Sequence, residues 1–192
     1  MGAVACFWVD PTGEGVVTLR RFTLDRDDCP GDVRYHNAGV DLGERRPQVR
    51  VNGDHGHDHW QHGPEPDEYA GDSRWPTVCA ACPYVFDDRE DRWQVRVEQL
   101  YRRADGGEEY TLRTVPPGAM WDAWWYPWKG DDGRSLCVAL PPDGGLDYWA
   151  VDGPSTDGGR WTRTGVPPLV TANPSILTPR YHGFLRDGEL VE

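Results

Sequence analysis

The sequence predicts a mainly β protein, with α+β as the alternative, and two observations carry that expectation. Apolar residues alternate with polar ones in short paired runs, and the runs are separated by turn-forming Gly, Pro and Asp, types abundant in a chain with 23 Gly and 17 Pro. Helical periodicity is confined to Trp121, Trp124, Trp125 and Trp128, spaced i, i+3, i+4, i+7 after Pro116-Pro117-Gly118, and Pro127 would end or distort such a helix.

Four antiparallel hairpins follow in chain order. The first pairs Ala5-Cys6-Phe7-Trp8-Val9 with the run from Val16 to Phe22 across Asp10-Pro11-Thr12-Gly13-Glu14-Gly15, a strong turn signal. In the second, Trp93, Val95 and Val97 lead through Leu100-Tyr101 and face Tyr110-Thr111-Leu112 across Asp105-Gly106-Gly107. The third sets Leu136-Cys137-Val138-Ala139-Leu140 against Tyr148-Trp149-Ala150-Val151 across Pro141-Pro142-Asp143-Gly144-Gly145. The last joins Tyr181-His182-Gly183-Phe184-Leu185 to Glu189-Leu190-Val191 through Asp187-Gly188. With 192 residues the chain is long enough to bury about 70% of its unfolded surface as one domain spanning 1–192. The stretch 44–78, poor in aliphatics and rich in His, Gly, Asp and Pro, reads as an excursion contributing little core. Ten tryptophans and few Leu or Ile imply that indoles supply much of the buried area, the Trp121 to Trp128 stripe included.

The net charge of −12 opposes a protein that coats nucleic acid, because phosphate binding needs a positive field. Arginine pairs at Arg20-Arg21, Arg45-Arg46 and Arg102-Arg103 keep a local basic patch as an alternative. Met1 to Asp10 has no basic, apolar leader pattern, and no apolar run approaches the roughly 20 residues that span a bilayer. Five irregularly spaced cysteines do not suit an extracellular disulfide framework. The expected location is therefore a reducing cytoplasm.

The sharpest chemical signal is Cys79-Ala80-Ala81-Cys82. Two thiolates in one tight turn grip a zinc ion, and a structural site takes two further Cys or His ligands from elsewhere. Cys29 and His36 are the preferred second pair, Cys29 preceding Pro30-Gly31 in a knuckle-like turn; His55, His57, His59 and His62 are the alternates. The pair also suits a redox motif or two ordinary buried thiols. Redox motifs open a helix after a strand, whereas Pro83-Tyr84-Val85-Phe86 reads as strand or turn. A metal-dependent hydrolase is the rival functional class, using the His55 to His62 cluster with Asp54, Asp58, Glu65 or Asp67 as base. No His-Glu-x-x-His, phosphate-binding loop or Gly-x-Ser-x-Gly elbow occurs. Ser175, His182 and Asp187 have the residue types of a triad and nothing more, and the Asp-Gly dipeptides fit turns better than an EF-hand.

The run Trp161-Thr162-Arg163-Thr164-Gly165-Val166-Pro167-Pro168-Leu169, then Asn173-Pro174-Ser175-Ile176 and Tyr181-His182-Gly183-Phe184-Leu185-Arg186-Asp187-Gly188, resembles a family of small uncharacterised bacteriophage proteins. Arg74-Trp75-Pro76-Thr77 and Pro117-Gly118-Ala119-Met120-Trp121-Asp122-Ala123-Trp124-Trp125 resemble its members from phages of actinobacteria. The resemblance implies a phage origin and transfers no activity. Together these observations lead us to expect a non-catalytic accessory protein with a structural zinc site. It would act in the host cytoplasm on a protein partner, a host nucleic-acid-binding factor being the kind that acidity favours; a minor virion component is the alternative.

Overall fold

The structure, a computed structural model, describes residues 2–23, 29, 36–47, 67–87, 91–154 and 161–192. It is almost entirely β. The strands in chain order are β1 (Val4–Ala5), β2 (Phe7–Thr23), β3 (Asn37–Pro47), β4 (Asp91–Arg103), β5 (Glu109–Thr111), β6 (Ala119–Asp122), β7 (Leu136–Leu140), β8 (Gly144–Ala150), β9 (Thr162–Val166), β10 (Leu169–Asn173), β11 (Ile176–Leu177), β12 (His182–Arg186) and β13 (Glu189–Val191). Among the described residues the one helical element is a 3-10 turn, Asp67–Tyr69. The chain packs as two compact units: unit 1 comprises Met1–Thr12 and Leu100–Glu192, and unit 2 comprises Gly13–Gln99.

The last three expected hairpins form. β4 pairs with β5 (Tyr101 opposite Tyr110), β7 with β8 (Val138 opposite Trp149), and β12 with β13 (Leu185 opposite Leu190). The first does not. Asp10 to Gly15 stays inside the 17-residue β2, with Gly13 at φ +81°, and the antiparallel partner of β2 is β3. β4 supplies the reason: the Thr12 hydroxyl donates to the Leu100 carbonyl at 3.0 Å, and the Gln99 amide donates to the Glu14 carbonyl at 2.8 Å. Partners on a neighbouring strand thus outweigh a local turn preference.

In unit 1, β7 is buried along its whole length. Because successive side chains point to opposite faces, Leu136, Val138 and Leu140 enter one core with Met120, Ile176 and Leu185, while Cys137 and Ala139 enter a second with Val9, Val115 and Trp121. The tryptophan stripe is divided as a result. Trp121 is buried on β6 opposite Cys137, whereas Trp124, Trp125 and Trp128 are half-buried in the turns that follow, and no helix forms. The turn into β8 needs two glycines: Gly144 has φ +61°, and a Cβ on Gly145 would lie 1.8 Å from the Leu112 carbonyl oxygen.

Arg163 of β9 is buried between two carboxylates. Its Nε donates to Asp152 at 2.7 Å and a terminal nitrogen to Asp132, while the other Asp152 oxygen accepts the Leu136 amide at 2.7 Å. Burial alone would raise the Asp132 carboxyl, but the Arg163 guanidinium and the Arg134 amide hold it below its ordinary value. A depressed native pKa stabilises the fold above the unfolded value and loses that contribution as pH falls through the native one. Stability should therefore drop on acidification below about pH 4, and chemical denaturation across pH should show a shallower drop in Asp132→Asn.

Unit 2 is built on β2, β3 and the first part of β4, with Val17, Leu19, Tyr69 and Trp75 buried against Leu42, Trp93, Val95 and Val97. Tyr69 and Trp75 come from the stretch that the sequence reads as contributing little core. Arg21 and Asp91 form a 2.8 Å ion pair with side chains 5% and 0% exposed. The guanidinium also lies 3.9 Å from the Trp93 ring centre and donates to the Pro76 carbonyl. Removing one member of a buried pair strands the other charge, which costs about 3–5 kcal/mol. Asp91→Ala should lose stability of that order in urea unfolding, more than Glu14→Ala, whose pair with Arg45 is half-exposed.

Candidate metal centre

Three segments of unit 2 converge. The first two are the end of β2 and the start of β3, locked by Thr23 and His36: the Thr23 amide donates to the His36 carbonyl at 3.0 Å, and the His36 amide donates to the Thr23 hydroxyl at 3.1 Å. Cys29 lies between them in sequence. The third segment is a knuckle closed by the antiparallel bridge of Val78 with Val85, with the Cys79 amide donating to the Tyr84 carbonyl at 2.9 Å and the Phe86 amide to the Thr77 carbonyl at 3.0 Å. The Ala80 amide donates to the Asn37 carbonyl at 2.9 Å, which fixes the knuckle against β3.

The result brings together Cys29, His36, Cys79 and Cys82, whose ligand atoms all lie within 4.8 Å of one another. The Cys29 sulfur is 3.9 Å from that of Cys79 and 4.0 Å from that of Cys82, and the Cys82 sulfur is 3.2 Å from His36 Nδ1. A tetrahedral ion with metal–sulfur bonds of about 2.3 Å places its sulfurs roughly 3.8 Å apart. These three separations fit such an ion with adjustments of a few tenths of an ångström, and the whole donor set lies within 4.8 Å. The surroundings orient it: the His36 ring stacks on Tyr84 at 3.9 Å and 2°, and the Ala81 amide donates to the Cys79 sulfur at 3.4 Å.

The thiols are electrostatically unlike. Burial would raise Cys79, but the Ala81 amide, His36 and Cys82 outweigh it and bring the thiol down to about 6. At Cys82 the Tyr84 amide pulls downward, while burial and the neighbouring sulfurs push the thiol up on balance. The protein alone thus favours the thiolate at Cys79 over that at Cys82, and a cation among the ligands would favour the anionic form of the sulfurs that hold it.

The alternates His55, His57, His59 and His62 lie outside the described residues, as do Asp54, Asp58 and Glu65. His182 is exposed on β12, and Asp187 accepts a hydrogen bond from Thr171 at 3.2 Å. The arginine pairs are engaged with acids, Arg45 with Glu14, Arg46 with Glu68, Arg102 with Glu109 and Arg103 with Asp105. One feature that sequence reasoning missed is the knuckle's outer surface: Val78 is 45% and Val85 65% exposed, Ala80, Ala81 and Pro83 are exposed too, and Val78 to Phe86 carries no charge. The signal was the uncharged run itself, in a chain 27% charged. Compared with protein-family models, curated proteins and solved structures, the chain matches none. Among the described residues no helix is long and apolar enough to cross a membrane.

The stacked ring yields a graded test. In cobalt(II) competition titrations, Tyr84→Leu should weaken binding by about tenfold, as loss of an orienting neighbour does, while Cys79→Ser should weaken it further and reduce the thiolate-to-cobalt absorption.

Proposed function

We propose that the chain is a non-catalytic accessory protein stapled by structural zinc, working by contact with a protein partner. One observation carries this reading: the Cys29, His36, Cys79 and Cys82 set supplies four donors and no carboxylate. Catalytic zinc sites keep three protein ligands and an open position for water or substrate, whereas four Cys and His ligands fill a tetrahedron. Three sulfurs and one imidazole favour zinc over hard cations, which take oxygen.

With the ion held, the knuckle presents Val78, Ala80, Ala81, Pro83 and Val85 on a backbone fixed by hydrogen bonds. An apolar patch on an acidic chain suits a partner with an apolar seat and a basic rim, approached with steering that salt weakens. The net charge of −12 favours the basic face of a nucleic-acid-binding factor as that partner, a host factor if the chain has the phage origin that the resemblance implies.

Elemental mass spectrometry of the purified protein tests the site. We expect one zinc per chain in the wild type and in His59→Ala, and loss of both zinc and soluble folding in Cys79→Ser. Zinc lost in His59→Ala but kept in Cys79→Ser would move the metal to the histidine cluster and the function toward hydrolysis.

A further inference from the structure

We propose that the zinc site is also a peroxide-sensitive switch, in which Cys29 and Cys82 join as a disulfide and release the ion; this rests on the zinc reading above. The five thiols fall into two groups. Cys6 and Cys137 belong to unit 1: burial pushes Cys6 up to about 12 and Cys137 above its ordinary range, which leaves both as unreactive thiols. The other three sulfurs share one small volume, and zinc would hold all three as thiolates.

Within that group accessibility decides the pair. Cys79 is 6% exposed and its sulfur is engaged by the Ala81 amide, whereas Cys29 and Cys82 are half-buried. Their sulfurs stand 4.0 Å apart, and each need move only about 1 Å toward the other to reach the roughly 2.05 Å bond of a disulfide. Oxidation follows thiolate character and exposure; zinc would make thiolates of all three, so exposure and the 4.0 Å approach select these two.

The chemistry balances with hydrogen peroxide as oxidant. One thiolate attacks a peroxide oxygen, a sulfur–oxygen bond forms as the oxygen–oxygen bond breaks, and the departing hydroxide takes a proton and leaves as water. The second thiolate attacks the resulting sulfenic sulfur and displaces a second hydroxide, which is also protonated to water. Two electrons pass from the sulfurs to the peroxide. Zinc, left with Cys79 and His36, departs, and a thiol reductant with added zinc restores the site.

The test uses zinc-loaded full-length protein treated with hydrogen peroxide, with released zinc read by a chromophoric chelator and disulfides mapped by peptide mass spectrometry. We expect one equivalent of zinc released, a Cys29–Cys82 linkage with a loss of about 2 Da, Cys6 and Cys137 still reduced, and recovery with dithiothreitol and zinc. Cys29→His, which offers zinc two cysteines and two histidines, should keep its zinc but release it several-fold more slowly. Zinc retained under peroxide, equally fast release from Cys29→His, or a linkage through Cys6 or Cys137 would each overturn the switch alone. Protein that purifies without zinc would overturn the zinc reading and the switch together.

Discussion

Unit 2 depends on the approach of three sulfurs and one imidazole at the place where β2 ends, β3 begins and the knuckle closes. The β2–β3 ladder reaches the site at Phe22 and Asn37 and is closed by the Thr23 and His36 contacts, while the knuckle has one antiparallel bridge, Val78 with Val85, and short-range amide bonds. The apolar cluster around the site is small, with Ala38, Cys79 and Phe86 buried. A shared ion would bind these segments to one another where side-chain burial alone offers little. Phe86 also lies under the Arg21 guanidinium, whose partner is Asp91, so the ion pair and the ligand cluster brace opposite ends of the same segment.

Unit 1 solves the problem differently. It places no ligand cluster among its described residues and relies on β7, a five-residue strand that sends alternate side chains into two cores. The strand reads as a continuous apolar run because both of its faces are buried. The buried Arg163, held between Asp132 and Asp152, ties β9 to the residues that flank β7 and β8.

Much of this was legible in the sequence, and the exceptions have physical causes. The hairpins at Asp105-Gly106, Gly144-Gly145 and Asp187-Gly188 could be read because each turn lies directly between its two strands. Asp10 to Gly15 misled because its place in β2 depends on Thr12 and Gln99 meeting partners far along the chain. Trp121, Trp124, Trp125 and Trp128 carry helical spacing, yet β6 takes the first of them into a sheet because Cys137 lies opposite. For the metal centre, Cys79 and Cys82 announced themselves by spacing. Cys29 and His36, the pair the sequence prefers for the turn at Cys29-Pro30-Gly31, join them, while the 55–62 histidines stay open as alternates in the sequence because ligand spacing alone does not fix which distant pair a fold brings to a knuckle.

The wide separation of the ligand pairs has a consequence for how this chain can vary. Cys29 and Cys82 stand 53 positions apart, and the stretch from Pro47 to Asp67 falls inside the loop that the ion would close. The entropy of closing a loop grows only with the logarithm of its length, about 0.6 kcal/mol for each doubling. By that scaling, a change in the length of chain between Pro47 and Asp67 would alter the closure entropy of an ion-held loop only slightly. The ligand residues themselves, Cys29, His36, Cys79 and Cys82, all lie outside that interval.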